Sequence, residues 1–301
     1  MLLWLLACSP ETSAAPPPVA APAILAAPPV APEPADAPVP LAVPAEAAEI
    51  ARRLVYAESQ IVDPTVPDDV AAAWGHAQQR MFRALWTDPV LGAEALSLVP
   101  DPALAKSFGL AVEGSREIAS TVTKPRSDLP DWRIVAPDPV AALEAAYRAS
   151  GAEHGVPWSI LAAIHLNETK LGRLRGVSPS GAQGPMQFMP PTWAAYGRGD
   201  VNDTEDAIWG AGNYVAKSGW ASDPRKAIWH YNHSEHYVTA ILDFAKLLDQ
   251  DPRRLRGWWG WQVYYRTVRG PVWLSEGYAS EQRLTIDAWC AGKDTIHCPA
   301  I

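Results

Sequence analysis

The chain lacks any apolar run approaching the roughly 18 residues that a membrane-spanning helix needs, so it has no transmembrane segment of that kind. It also lacks a basic footprint. With 25 Lys and Arg against 33 Asp and Glu, the net charge is −8, which argues against nucleic acid as a partner. The first 51 residues hold no Lys or Arg, and their five acids supply −5 of that total. The remaining 250 residues carry −3 and are close to neutral. No HExxH pattern accompanies His230, His233 and His236, so this histidine run is not assigned to a metal. GDVNDTED (Gly199–Asp206) tempts a calcium reading, but no glycine stands at the sixth loop position and Ala211, the twelfth, is no ligand. Helix capping explains that segment better. Neither a metal nor a cofactor is expected, and no internal repeat is present.

Cysteine is scarce, with three in 301 residues. Cys290 and Cys298 lie close together in WCAGKDTIHCP, which in an oxidising compartment suggests a small disulfide loop. A metal site using His297 is the rival, but the spacing matches no common zinc pattern. Cys8 stands alone after MLLWLLA. Leu5-Leu6-Ala7-Cys8 is similar to the lipobox at which bacterial lipoproteins are cut and acylated on cysteine. No Lys or Arg precedes it, however, and the apolar stretch is short for a signal core. A chance cysteine in a loose tail is the alternative. Up to residue 45 the chain is dominated by Ala and Pro with almost no aromatics. It buries too little to offset its ordering entropy and is expected to be a disordered linker.

What remains is long enough for one sizeable core or two modest ones. Ile50, Leu54, Ala57 and Ile61 mark a helix that stops at Asp63-Pro64, and Val70, Trp74, Ala77, Met81 and Leu85 mark another from about Asp68. Weaker helical patterns follow through Pro100–Thr121, and KPRSDLPDW (Lys124–Trp132) punctuates their end. Pro139–Gly151, Pro191–Tyr196 and Asp203–Lys217 also read as helices, the last with Asp203 as N-cap. A further segment carries Val238, Ile241, Leu242, Ala245 and Leu248. Trp258–Leu274 alternates like a hairpin turning at Arg269-Gly270. Its aromatics are assigned to packing against the helices, with sugar stacking as the alternative. The resulting division is a signal-like segment at 1–8, a linker at 9–45, a helical accessory region at 46–123, a main lobe at 124–250 and an extension at 251–301.

The feature that points to chemistry is Glu168. PWSILAAIHLNETKLG (Pro157–Gly172) opens on a proline suited to a first helical turn and closes on a glycine suited to a C-cap. Leu161, Ile164, Glu168 and Leu171 share one face at steps of three and four. An isolated carboxyl on such a face loses solvation, which raises its pKa above about 4.3. A carboxyl still protonated near neutrality can donate a proton to a leaving group. The plain alternative is an acid near a helix end that simply reaches water.

Glu168-Thr169, the loop Gly181–Pro190 (GAQGPMQFMP) and Tyr231-Asn232 occur together in this order. In that combination the chain resembles the lytic murein transglycosylases, with a catalytic domain of the goose-type lysozyme superfamily. The likeness is strong over roughly Val156–Leu248 and looser over Leu129–Gly155 and Gly257–Tyr278. YNHS stands where the family often has YNAG, and Thr169 where one branch has serine. The resemblance implies a mainly α fold: a lysozyme-like helical catalytic domain with an N-terminal helical region and a short C-terminal β-hairpin. It implies cleavage of the β-1,4 bond between N-acetylmuramic acid and N-acetylglucosamine in peptidoglycan, with 1,6-anhydro products. Glu168 would act as acid and then base. Ser178 would bond near the acetamido group, Gln187 would bind sugar through its amide, and Met189 would line the cleft. Tyr231 would place its hydroxyl beside Glu168 or the acetamido group, while Asn232 is the more structural of that pair. Gly181 and Gly184 would let the backbone turn and approach the glycan. The partner would be the glycan strand, met by a monomer held in the cell envelope through lipidated Cys8. Two alternatives stand beside this: a hydrolytic lysozyme using Glu235 as second carboxylate, and a non-catalytic glycan-binding lipoprotein.

Overall fold

Apolar residues recurring at steps of three and four dominate the chain, and the computed structural model, which describes residues 39–298, is mainly α. Four helices come first: α1 (Ala47–Val62), α2 (Asp68–Thr87), α3 (Pro89–Ser97) and α4 (Pro102–Thr121). Short strands β1 (Asp128–Leu129) and β2 (Arg133–Ile134) lead to α5 (Val140–His154), α6 (Trp158–Thr169) and β3 (Leu174–Arg175). Helices α7 (Pro190–Tyr196), α8 (Thr204–Lys217), α9 (Pro224–Tyr231), α10 (Glu235–Gln250) and α11 (Arg254–Trp259) follow. The hairpin strands β4 (Val263–Thr267) and β5 (Gly270–Leu274), then β6 (Leu284–Thr285) and α12 (Ile286–Cys290), complete the order. Among the described residues no helix is long and apolar enough to cross a membrane.

Cys8 and most of the expected linker lie outside the described residues. The linker's last part, residues 39–45, is packed rather than loose. Val39 and Leu41 lie against a cluster built on Ala57, Ile61, Trp74 and Ala77, and Val43 lies against the main core. The apolar residues among the prolines supply the burial that holds this part.

One core runs through most of the helices. Ile50, Leu54, Met81 and Phe82 from the first two helices join Leu161, Ile164, Ile241 and Leu248 in a single apolar cluster. Helix α4 packs along α10, and α2 packs on α11. The helices at 46–123 are therefore built into the same interior as the lobe that follows. Side-chain caps set several helix starts: Asp88, Asp101, Asp203, Asp223 and Ser234 each accept from a backbone N–H of the helix they precede, a contribution of about 1 kcal/mol apiece.

The hairpin departs from expectation at its start. Leu255 and Trp258, three residues apart, are buried in a helical turn, so α11 takes Trp258 and Trp259 and strand pairing begins at Val263. Thr267 faces Gly270, which puts the turn at Val268-Arg269, one residue earlier than expected. Trp258 and Trp261 lie in the helical core at 3% exposure each, so these two serve packing and not an open sugar platform. A smaller core joins Val263, Val272 and Leu274 to Leu129, Ile134, Tyr278 and Ile286. Cys290 and Cys298 are bonded to each other beside it. Closing so short a loop contributes roughly 2–3 kcal/mol.

Arg80 of α2 connects the two extremes of this structure. Its Nε donates to the Leu41 carbonyl at 2.6 Å, and its Nη1 donates to the Ile296 carbonyl at 3.2 Å and to the Tyr264 hydroxyl at 3.1 Å.

Candidate functional site

Helix α6 is buried on every side and not along one stripe: Ser159, Ile160, Ala163, His165 and Thr169 are enclosed as fully as Leu161 and Ile164. A helix apolar all round lies at the centre of a fold, and this one packs against α5, α8 and α10. It also ends sooner than expected. The C-cap is Lys170 in the left-handed region at φ 55°, followed by Leu171 at φ 58° and Gly172 at φ 85°. Left-handed backbone costs a non-glycine residue about 1 kcal/mol or more. Burying the Leu171 side chain completely returns about 2 kcal/mol, which offsets much of the cost. Thr169 ties this corner to the glycine loop. Its hydroxyl donates to the Pro185 carbonyl at 2.5 Å and accepts the Gly172 N–H at 3.0 Å. Glu168 therefore sits in the last turn of a rigid helix, with its neighbour pinned.

The loop is built to the same end. Gln183 and Phe188 exchange backbone hydrogen bonds at 2.9 and 2.8 Å, and the Gln187 N–H donates to the Gly184 carbonyl at 3.0 Å. Met186 and Phe188 point into the core, at 0% and 3% exposure, leaving Gln187 half-buried and Met189 exposed. Gln187 itself adopts φ 50°. Its amide Nε2 donates to the carbonyls of Gly184 at 2.9 Å and Gly176 at 3.4 Å. Its donors thus hold the loop, and the amide oxygen is what it can offer a ligand. Ser178 accepts the Ala182 N–H at 2.9 Å and keeps its own O–H to donate. Gly184 is bare for an internal reason: an added Cβ would meet the Val201 carbonyl oxygen at 1.9 Å.

The tyrosine that hydrogen-bonds Glu168 is Tyr237; Tyr231 is near enough to feel the Glu168 charge but bonds elsewhere. The Tyr237 hydroxyl donates to Glu168 Oε1 at 2.6 Å. The Tyr231 hydroxyl donates instead to the Met186 carbonyl at 2.7 Å, and its ring stacks on Tyr237 with centroids 6.4 Å apart. Through this pair the stacked tyrosines reach the carboxyl with one hydroxyl and the loop with the other. Tyr231 closes α9, a helix not expected from the sequence, and Asn232 is its exposed C-cap. The pair thus stands at the end of one helix, and the next starts at Glu235. Sequence reasoning passed over Tyr237. Its signal was there: Tyr237, Ala240, Ile241, Phe244 and Leu248 form the buried stripe of α10, and a tyrosine in such a stripe needs a partner for its hydroxyl.

Glu168 is half-buried, with Oε1 held by Tyr237 and Oε2 without a hydrogen-bond partner among the described residues. Burial pushes the pKa from 4.5 to about 7, against the opposing pull of the Tyr237 hydrogen bond and the Lys170 charge. Lys170 is itself brought down to about 8, first by burial and then by Arg83. The charge bearing on Glu168 is a cation, and no second acid is among its influences. Glu235 is an exposed partner of Arg225 at 2.8 Å. Asp200, Asp203 and Asp206 are occupied with backbone N–H groups of the α8 entry. Among the described residues no group of three or more His, Cys, Asp or Glu is placed to hold a metal ion. His236 bonds Glu117 at 2.5 Å, and His233 lies against the Trp229 ring.

A carboxyl poised near neutrality, with one oxygen held by a phenol and the other free, is equipped to give and take one proton. Comparison with known proteins finds no matching family model, curated protein or solved structure.

Proposed function

We propose that the chain is a lytic transglycosylase of peptidoglycan, cutting the β-1,4 bond between N-acetylmuramic acid and N-acetylglucosamine. One observation carries the reading: Glu168 is a half-buried carboxyl held at one oxygen by Tyr237, its pKa raised by burial to about 7, and no second acid among the described residues bears on it. Standard glycosidases need two carboxylates, and Glu235, the candidate partner for hydrolysis, is exposed and paired with Arg225. With one carboxylate the substrate must supply the nucleophile. Protonated Glu168 gives its proton to the glycosidic oxygen as the bond from that oxygen to the anomeric carbon breaks. The 2-acetamido carbonyl oxygen closes on that carbon and shares its positive charge. Glu168, now a carboxylate, takes the proton of the C6 hydroxyl, and the freed oxygen attacks the anomeric carbon as the bond from that carbon to the acetamido oxygen breaks, leaving the 2-acetamido group intact. The product is a 1,6-anhydro ring, Glu168 is protonated again, and no water is consumed. Ser178 and the amide oxygen of Gln187 are the polar groups offered to the sugar, with exposed Met189 at the loop end. A disulfide between Cys290 and Cys298 suits an oxidising envelope compartment, the setting in which lipidated Cys8 would tether the enzyme to a membrane.

Product chemistry tests this directly. Muropeptides from a digest are expected to end in 1,6-anhydro-N-acetylmuramic acid, one water lighter than hydrolysed ends and resistant to borohydride. Mass spectra dominated by reducible, hydrated ends would make the protein a lysozyme.

Tyr237→Phe supplies a second test. The Tyr237 O–H stabilises the charged form of Glu168, so its removal moves the Glu168 pKa above 7. The basic limb of the pH–kcat/KM profile is expected to shift to higher pH, while kcat falls roughly tenfold because the carboxylate is held less well for proton return. A limb that stays in place or moves down would remove Tyr237 from the acid–base machinery.

A further inference from the structure

A second feature of the molecule lies beside the loop and is not used by the chemistry above. Strand β2 pairs with β3 so that Arg133 faces Arg175 and Ile134 faces Leu174, and Arg133 also bridges Ala279 on its other side. Alternation puts Ile134 and Leu174 in the core and stands Arg175, Arg133 and Ala279 in a row on the opposite face. All three line a cleft of about 1000 Å³, open in part because the third residue of the row is only an alanine. Like charges directly opposite each other on a strand pair are destabilising, and these two are poorly neutralised. Asp138 approaches Arg175 only to 3.9 Å, and its Oδ2 already accepts the Thr204 hydroxyl at 2.6 Å. Arg133 is exposed and makes no ion pair among the described residues.

We propose that this cleft receives a carboxylate of the peptide attached to the glycan, so that the protein reads peptide as well as sugar; this rests on the peptidoglycan reading above. Two guanidinium groups in a row suit a carboxylate, which each can hold through paired N–H donors. Asp131 and Glu281 line the same cleft, which disfavours a polyanion and suits a peptide of mixed charge. The volume exceeds what a lone carboxylate needs and accommodates several residues, with Val135 and Val177 as apolar wall. Gly176 and Gly184 also line it, and theirs are the carbonyls that hold the Gln187 amide. Glu168 does not line the cleft, so the peptide would lie beside the reacting bond and not on it.

Equilibrium binding of the full chain to soluble glycan strands measures this, using strands with peptides intact and strands stripped by an amidase and then amidated at the lactyl carboxylates that the amidase frees. The wild type is expected to bind the intact polymer about tenfold more tightly, the scale of one charge-assisted carboxylate contact. The double variant Arg133→Gln/Arg175→Gln should bring the ratio close to one, and Arg133→Lys/Arg175→Lys should keep part of it. Converting the peptide carboxylates to amides should reproduce the loss with wild-type protein. This last arm decides the matter if the double variant fails to fold. Equal binding of both polymers by the wild type, a preference untouched by the double variant, or full binding of the amidated polymer would each overturn the proposal. Product analysis on the same material is read separately. Absence of anhydro ends would defeat the transglycosylase reading while the binding ratio still judged the cleft.

Discussion

Glu168→Gln is expected to remove turnover while making the protein harder to unfold above pH 7. Glutamine keeps the size of the side chain and still accepts the Tyr237 hydroxyl, but it has no proton to give. Acid–base groups of this kind contribute about 10²- to 10⁴-fold. Here one group serves both steps, so a loss of at least about 10³-fold in anhydro product release is expected. Stability should move the other way. The Glu168 pKa is raised from 4.5 to about 7 in the folded state, so the folded state binds its proton the more tightly. The stability this confers is present in full below 4.5 and is lost as pH rises through 7. Above that point the wild type carries a poorly solvated anion at a cost of roughly 3 kcal/mol, and the glutamine variant does not. Thermal melts at pH 8 should therefore favour the variant by several degrees, with the gap narrowing toward pH 4. A variant that clears a peptidoglycan gel at the wild-type rate would end the catalytic assignment, and one less stable at pH 8 would contradict the burial argument.

Gly184→Ala is expected to be the most damaging single methyl in the loop. Gly184 holds φ 73°, and its Cβ would sit 1.9 Å from the Val201 carbonyl oxygen. That oxygen belongs to backbone leading into α8 and cannot rotate away. Left-handed strain adds about 1 kcal/mol, and the steric overlap must be relieved by moving the loop, for a total of about 3 kcal/mol or more. The Gln187 amide, hung on the Gly184 carbonyl, would move with it, so activity should fall together with stability. Gly181 is the control. It has φ 91° but nothing within 4 Å of an added Cβ, so Gly181→Ala should cost only the strain, about 1 kcal/mol. Melting temperatures measured side by side decide the point: equal losses at the two glycines would mean that the overlap is absorbed elsewhere.

Amphipathic stripes made α1, α8 and α10 legible, because each buries one face and the period of that face is written in the order of residues; α2 showed its apolar stripe too, although His76, Gln78 and Gln79 are buried beside it. Glu168 could be found because an acid between Leu161, Ile164 and Leu171 stands out from its neighbours. The rest needed long-range information. Nothing near α6 says that its polar residues Ser159, His165 and Thr169 are buried too; that follows from what packs around it. Its early stop depends on Leu171 turning back into the core and on Thr169 reaching Pro185 sixteen residues away. Tyr231 was singled out from the sequence and Tyr237 was passed over, although the Glu168 charge bears on both hydroxyls. Which hydroxyl meets Glu168 was decided by the Met186 carbonyl, which claims the other. The start of the hairpin was misplaced for a local reason: WWGWQVYY satisfies alternation and helical spacing at once, and the buried turn of Leu255 and Trp258 took precedence.

Arg80 gives the fold a property that neither core supplies. Protein chains commonly loosen from their ends inward, each end independently of the other. Here one guanidinium grips the carbonyls of Leu41 and Ile296, 255 positions apart, so peeling back either end strips Arg80 of part of its hydrogen bonding and weakens its hold on the opposite end. Fraying becomes a joint event.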